Sequence, residues 1–213
     1  MNNEIKFLFF DMGNVLLKFD HRRLTKQVAA LVGKTESDID QLLFHPPHDL
    51  ENRYERGEFT SQEFYERFCE LAEAQVPQRD FMDAVADIFW LNAPILPLLS
   101  QLTAVNFPTA ILSNTCEAHW EWVEQSFKVI RDFFPQRILS YEEVSMKPDG
   151  KIYQAAIVMA KQQVGCQTEE IFFVDDKPEN VAAAREAGMQ AELFESTAML
   201  ASQLVEGSVP IAM

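Results

Sequence analysis

Four short segments of the sequence carry side chains that could do chemistry, and each follows an apolar run. In chain order these side chains are Asp11, Ser113, Lys147 and the adjacent pair Asp175-Asp176. Asp11 is the most informative, because a carboxylate at the end of a wholly apolar run is costly to bury unless it is paired or bound to a cation. Three carboxylates, a hydroxyl and an ammonium in one place could hold a divalent cation and attack an electrophilic centre.

Each segment taken alone has a simpler explanation. Asp175, Asp176 and Ser113 precede predicted helices and could be N-cap residues. Lys147 could be a solvated loop residue, as most lysines are. The four segments together favour a functional site, because a cluster of like charges is costly and a scaffold has no physical need for one.

Short apolar runs alternate along the chain with longer amphipathic runs of helical spacing. The short runs predict buried parallel strands over Ile5 to Phe10, Thr109 to Leu112, Ile138 to Leu139, Ile171 to Val174 and Met189 to Phe194. Strands and helices in alternation indicate a doubly wound parallel α/β sheet. Ligands bind beyond the carboxyl ends of the strands in such sheets, so the four polar segments should meet at one edge.

The stretch from about Lys18 to Leu91 interrupts this alternation and shows only helical periodicity. Thr60 and Glu63 form a capping-box pattern within it. We therefore expect a helical bundle over 18–91, inserted into an α/β core made of 1–17 and 92–213. Three apolar stripes predict the helices of the bundle: Leu24, Val28, Leu31 and Val32; Phe64, Phe68 and Leu71; and Phe81, Val85, Ile88 and Phe89.

The charge balance and the cysteines narrow the environment and the partners. With 18 basic and 33 acidic residues the net charge is −15, which repels phosphodiester backbones and anionic membranes, so neither nucleic acid nor a membrane is the expected partner. Three widely spaced cysteines fit neither a disulfide framework nor a zinc site. The apolar run before Asp11 is too short for a signal peptide, so a cytoplasmic protein is expected. We expect a monomer, with a weak homodimer as the alternative.

The four segments, in this order, resemble the four motifs of the haloacid dehalogenase (HAD) superfamily of aspartate-nucleophile hydrolases. The family's first motif is a strand followed by a nucleophilic Asp, which matches Asp11, and its second is a Ser or Thr after a strand, which matches Ser113. Lys147 matches the third motif, and Asp175-Asp176 match the acidic pair of the fourth. The resemblance covers nearly the whole chain. It implies a Rossmann-like core, and the helical insertion is similar to the family's cap.

Within the family, three short sequences resemble the branch that contains a bacterial α-glucose-1-phosphate phosphatase. They are Asp-Met-Gly-Asn-Val from Asp11, Leu-Ser-Asn-Thr from Leu112 and Tyr-Glu-Arg-Gly from Tyr54. The resemblance implies a magnesium-dependent phosphatase that hydrolyses a small phosphate ester, such as a hexose 1-phosphate. Tyr54, Arg56 and His21 are the first candidates for selecting the substrate.

The resemblance also implies a mechanism that begins with attack of Asp11 on phosphorus to give an aspartyl-phosphate. Mg²⁺ would be held by Asp11, the carbonyl of Gly13 and Asp176, with Asp175 in support. The cation would neutralise the negative charge that develops as the two anions approach each other.

Lys147, Ser113 and Asn114 are the expected catalytic and substrate-binding groups around the phosphate. Lys147 would add a second positive charge, and Ser113 would donate a hydrogen bond to the phosphoryl oxygens, together with nearby backbone N–H groups. Such local donors would offset the net negative charge of the protein for an anionic substrate.

One position departs from the family pattern. Phosphatases of the superfamily usually carry a second Asp two residues after the nucleophile, where it protonates the leaving group and then activates water, and this position is Gly13 here. General acid–base help is worth about 10²–10⁴-fold, so a slow enzyme or one restricted to good leaving groups is expected. Asp20 and His21 are the nearest candidates to replace the acid.

Two other functions stay open at this level. A 2-haloacid dehalogenase would also use an Asp nucleophile without the second Asp, but it needs no metal. The pair Asp175-Asp176 argues against it, because adjacent carboxylates beside Asp11 would repel without a cation. A regulatory or binding protein that retains the fold but turns over weakly is the second alternative.

Overall fold

A five-stranded parallel sheet forms the centre of the molecule. The computed structural model of the chain describes residues 4–212. The sheet has the strand order β5-β4-β1-β6-β7 with all pairings parallel, which confirms the predicted α/β fold. The strands, with a separate two-stranded sheet of β2 and β3, are β1 (Phe7–Phe10), β2 (Leu17–Phe19), β3 (Phe89–Leu91), β4 (Thr109–Ser113), β5 (Arg137–Leu139), β6 (Ile171–Asp175) and β7 (Gln190–Leu193).

Helices cover both faces of the sheet and make up the insertion. No helix within residues 4–212 has the length and apolar character needed to cross a membrane. The helices are α1 (His21–Val32), α2 (Glu36–Phe44), α3 (Leu50–Glu55), α4 (Ser61–Ala72), α5 (Gln78–Ala86), α6 (Leu96–Ala104), α7 (Glu117–Ser126), α8 (Lys128–Phe133), α9 (Ser140–Glu143), α10 (Gly150–Val164), α11 (Pro178–Glu186) and α12 (Thr197–Glu206).

The central strand β1 is buried on both faces, which explains its unbroken apolar sequence. Leu8 and Phe10 belong to one hydrophobic cluster, and the two alternate residues of the strand belong to another, as the two-residue period of a strand requires. The backbone N–H of Asp11 then donates to the carbonyl of Val174 at 2.9 Å. The strand therefore delivers Asp11 to the carboxyl edge of the sheet, beside the end of β6.

The insertion consists of α1 to α5, and two short strands that the sequence pattern did not predict border it. β2 and β3 pair antiparallel, with Phe19 opposite Phe89. The expectation that 18–91 contains no strand was therefore wrong, because three-residue strands are too short to show a period. The division into a core of 1–17 and 92–213 and a helical cap of 18–91 remains a proposal, with this ribbon at its boundary.

Two of the predicted apolar stripes also end differently. Leu71 is 38% exposed, because Ala72, four residues after Phe68, takes the inward position in the last turn of α4. The third stripe extends beyond its helix, since α5 ends at Ala86 and Phe89 lies in β3. The capping box at the start of α4 is present as predicted.

Candidate active site

A buried lysine, Lys147, contacts each of the other three polar segments. The ammonium of Lys147, a residue that is 4% exposed, donates to Asp11 Oδ1 at 2.8 Å, to Asp175 Oδ2 at 2.6 Å and to the carbonyl of Leu112 at 3.0 Å. An ammonium has three N–H donors, and here all three are used. The solvated role that most lysines have is therefore excluded for Lys147.

Asn114 holds Lys147 in place through the backbone. Its side-chain N–H donates to the carbonyl of Lys147 at 2.9 Å, and its side-chain oxygen accepts from the Lys147 N–H at 2.8 Å. Both ends of the Asn114 amide therefore face the Lys147 backbone. Substrate binding by Asn114 stays a prediction, and the residue lines a cavity over these residues. Ser113 is buried, and its hydroxyl donates to the carbonyl of Asn114 at 3.2 Å.

The two carboxylates of the acidic pair differ in environment. Asp175 is fully buried, and its oxygens accept from Lys147, from the Lys177 backbone N–H at 2.8 Å and from the Asn180 amide at 3.0 Å. Asp176 is half-buried, and within residues 4–212 it accepts only from the side chain of Asn14, at 2.8 Å. Asp176 therefore has more free acceptor capacity than Asp175, whose oxygens are occupied by neighbouring groups.

Asn14 and Asn180 are site residues that the sequence pattern did not single out. Asn180 lies in the first turn of α11, five residues after Asp175. From there its side-chain amide reaches the carboxylate of Asp175 at the end of β6. Asn14 follows the strand end closely and adopts a left-handed φ of 57°, a conformation that Asn tolerates better than most residues. That the Asn14 side chain turns toward Asp176 depends on the tertiary structure.

Burial and charge pairing shift the ionisation of the two central groups. Burial raises the pKa of Asp11 above its ordinary value, and the Lys147 ammonium opposes this rise. Burial lowers the pKa of Lys147, but Asp11 and Asp175 outweigh it and raise that pKa above the ordinary value. Lys147 therefore remains a cation, and three carboxylates with one ammonium carry a formal charge of −2 when all are ionised.

A cavity of about 150 Å³ lies over this group. Asp11, Lys147 and Asp176 line it from the sheet edge, and Asn52 and Glu55 line it from α3 of the insertion. The cavity therefore lies at the seam between the sheet and the inserted helices, where a small ligand would touch both.

The predicted substrate-selecting residues lie in different places. His21 lines the cavity, but Tyr54 and Arg56 do not. Tyr54 is buried, with its hydroxyl within 2.6 Å of Ser61 Oγ and 3.1 Å of the Ala118 N–H, so it joins the insertion to α7.

Of the two candidates to replace the acid, only His21 faces the cavity. Asp20 is exposed and accepts from the Arg22 N–H at 2.9 Å, which makes it the N-cap of α1.

The surroundings of Gly13 leave little space for a side chain. A Cβ atom at position 13 would lie 2.9 Å from Cε1 of Phe19, closer than such atoms approach each other. The ring of Phe19 is held in turn against His21, with ring centroids 5.0 Å apart. An aspartate therefore fits at position 13 only if Phe19 moves.

We expect Gly13→Asp to lower the free energy of unfolding by roughly 1–3 kcal/mol, the usual cost of overpacking. Phe19→Leu removes the obstructing ring atom, so Gly13→Asp should cost less in that background. Urea unfolding of the wild type, both single variants and the double variant measures this coupling. Equal costs in the two backgrounds would show that the ring is no obstacle.

A second group of potential metal ligands, Glu51, Cys116 and His119, is buried beside the cavity, which His119 lines. Burial raises the pKa of Glu51 to about 8 and lowers the pKa of His119 to about 3. Both side chains are therefore neutral at pH 7, and His119 Nε2 lies 3.3 Å from the carbonyl of Val85. This group has no excess negative charge for a cation to balance.

The sheet is parallel, and the polar groups lie together at its carboxyl edge. The protein therefore belongs to the class of doubly wound α/β proteins, whose ligand sites lie at the carboxyl ends of the strands. A model of the haloacid dehalogenase-like hydrolase family matches residues 5–188. The match covers most of the 213 residues, and the chain belongs to this family of hydrolases. The resemblance stated from the four motifs is therefore confirmed.

Solved structures of the same superfamily have a similar fold. A HAD family enzyme from Bacteroides thetaiotaomicron has a TM-score of 0.80 and 24% identity, over 93% of this chain and 99% of that one. The wild-type protein in complex with magnesium and inorganic phosphate has a TM-score of 0.73 and 26% identity, over 89% and 93% of the two chains. A HAD-like hydrolase from Porphyromonas gingivalis has a TM-score of 0.78 and 22% identity, over 95% and 98%.

Proposed function

We propose that the protein is a magnesium-dependent phosphatase that forms an aspartyl-phosphate on Asp11. The observation that carries this proposal is the group formed by Asp11, Asp175, Asp176 and Lys147. Oxygen atoms from its three carboxylates lie within 4.8 Å of one another, and the formal charge of −2 suits a divalent cation. Hard oxygen ligands of this kind are those that Mg²⁺ takes in proteins.

Asp11 and Asp176 would hold Mg²⁺ together with the carbonyl of Gly13, while Asp175 would orient the site through Lys147. When bound, the ion would neutralise charge on the transferring phosphoryl group. Asp11 is the nucleophile of the proposal, because it ends the central strand and lines the cavity. Its Oδ1 also accepts from the Met12 N–H at 2.8 Å, which fixes the orientation of the carboxylate.

The magnesium and phosphate complex of the similar enzyme from Bacteroides thetaiotaomicron supports this reaction class. We propose a small phosphate ester as the substrate, and a sugar phosphate such as a hexose 1-phosphate as the specific one. Asn52 and His21 give the cap side of the cavity polar groups that suit a ligand with several hydroxyls. The anomeric oxygen of such an ester is also a better leaving group from phosphorus than a plain alkoxide, because it is less basic.

Phosphate release from a panel of esters, with Mg²⁺ and with EDTA, tests the proposal. We expect release that depends on Mg²⁺ and is faster for hexose 1-phosphates than for hexose 6-phosphates. Release without metal would contradict the metal requirement, and equal rates for all esters would contradict the sugar preference. No phosphate release, with chloride release from 2-chloropropionate in EDTA, would support the dehalogenase alternative. Magnesium binding without turnover of any ester would support the binding-protein alternative.

A further inference from the structure

Glu55 is a cavity carboxylate that takes part neither in the proposed metal site nor in the proposed attack on phosphorus. It ends α3 and lines the same cavity as Asp11 and Lys147. Among residues 4–212, no hydrogen bond or ion pair engages its side-chain oxygens, whereas the nearby Glu58 is paired with Arg53. A half-buried carboxylate without a partner is costly, so its position in the cavity calls for a ligand.

The end of α3 is anchored to the core, which fixes where Glu55 can reach. The hydroxyl of Ser140, at the start of α9, donates to the carbonyl of Glu55 at 2.6 Å. Two residues later, Gly57 has a φ of 75°, and a Cβ there would lie 2.5 Å from the carbonyl oxygen of Tyr141. Only glycine permits so close a contact with this backbone conformation. Glu55 is thus held at the cavity wall by the core itself.

The surroundings of Glu55 suit proton transfer near neutral pH. Burial raises the pKa of its carboxyl to about 7, while the charges of Lys177 and Lys147 act in the opposite direction. The neighbouring Glu51 and Cys116 both have their own pKa values raised by burial. A carboxyl group that is half protonated near pH 7 can both give and take a proton efficiently.

We propose that Glu55 is the general acid and base of the reaction, in place of the aspartate that the family usually carries at the position of Gly13. The proposal rests on the proposed function. In the first step Asp11 forms a bond to phosphorus, the bond from phosphorus to the ester oxygen breaks, and the departing oxygen takes the proton of Glu55. In the second step water attacks phosphorus, Glu55 takes a proton from that water, and the bond to Asp11 breaks.

A rival role for Glu55 is to accept a hydrogen bond from a substrate hydroxyl, and two matched esters separate the roles. Phenyl phosphate and p-nitrophenyl phosphate have nearly the same shape and no hydroxyl group. Phenolate is the more basic leaving group and needs a proton, whereas nitrophenolate leaves without one near neutral pH. Loss of a general acid should therefore slow the hydrolysis of phenyl phosphate and not that of p-nitrophenyl phosphate. Loss of a group that only binds a substrate hydroxyl should slow neither reaction.

The experiment measures single-turnover release of each phenol by wild type, Glu55→Gln and the control Glu58→Gln. We expect Glu55→Gln to slow phenol release at least about 100-fold more than nitrophenol release, the lower end of the 10²–10⁴-fold range of general acid catalysis. With excess p-nitrophenyl phosphate, Glu55→Gln should release about one equivalent of nitrophenol quickly and then turn over slowly. The second step is slow because it lacks its base. Glu58→Gln, which changes an exposed carboxylate three residues after Glu55, should behave like the wild type.

A third variant shows whether slow phenol release by Glu55→Gln comes from the missing acid or from a disturbed fold, since a new carboxyl group could not rescue a disturbed fold. Adding Gly13→Asp and Phe19→Leu to Glu55→Gln supplies a new carboxyl next to the nucleophile and should restore phenol release by at least tenfold. Equal slowing of both esters, or no slowing of either, would overturn the role of Glu55 while leaving the phosphatase intact. Failure of the proposed function looks different, because the wild type itself would then release neither phenol.

Discussion

Asp11→Asn should abolish phosphate release, with a fall in turnover of at least about 10³-fold, as expected when a nucleophile is removed. An amide has nearly the shape of the carboxylate and can still accept from Met12 and Lys147, so the site should stay assembled. It has no anionic oxygen with which to attack phosphorus. The loss should therefore come from the chemical step and not from unfolding.

Asp20→Asn is the matched control, since it makes the same chemical change at an exposed residue nine positions away. Asparagine caps helices as well as aspartate does, so this variant should retain stability and turnover. Trapping of radiolabelled phosphate on the protein tests the intermediate directly. The label should be found on the wild type, bound through a hydroxylamine-sensitive bond, and not on Asp11→Asn. Turnover by Asp11→Asn near the wild-type rate would refute its role as nucleophile.

Lys147→Met should lower the free energy of unfolding by about 3–5 kcal/mol, the cost of removing one partner from a buried ion pair. The methionine side chain fills similar space but leaves Asp11 and Asp175 without the cation that they share at 2.8 and 2.6 Å. The two carboxylates would then repel each other in a site that water reaches poorly. Phosphate release should also be lost, because Lys147 is the only direct side-chain cation on Asp11 among the described residues.

Lys128→Met removes an exposed lysine and is the control for the loss of charge; its stability should change by no more than about 0.5 kcal/mol. Urea unfolding of both variants, in EDTA and in excess Mg²⁺, measures the difference. Magnesium should restore part of the stability of Lys147→Met, because the ion supplies positive charge to the same carboxylates. Equal stabilities of the two variants would show that the buried pairs contribute nothing.

The sheet and the order of its site segments follow from local sequence. The runs Phe7–Phe10 and 171–174 are continuously apolar because both faces of each strand are buried, and such runs are recognisable without a structure. The strand ends then locate Asp11 and Asp175, because parallel strands bring their carboxyl ends to one edge. The short strands Leu17–Phe19 and Phe89–Leu91 have no such signal, since three residues cannot display a period.

The partners of the site residues were decided by the tertiary structure alone. Lys147 meets Asp11 across 136 positions of sequence, and Asn14 meets Asp176 across 162. Side-chain hydrogen bonds of this kind depend on distances that no local pattern encodes. Glu55 shows the same limit, because its sequence fits a solvated helix end, and only the contact of α3 with Ser140 brings it to the cavity. The sequence by itself determined which chemical groups reach the sheet edge, whereas packing between distant elements decided which group faces the ligand and which holds another in place.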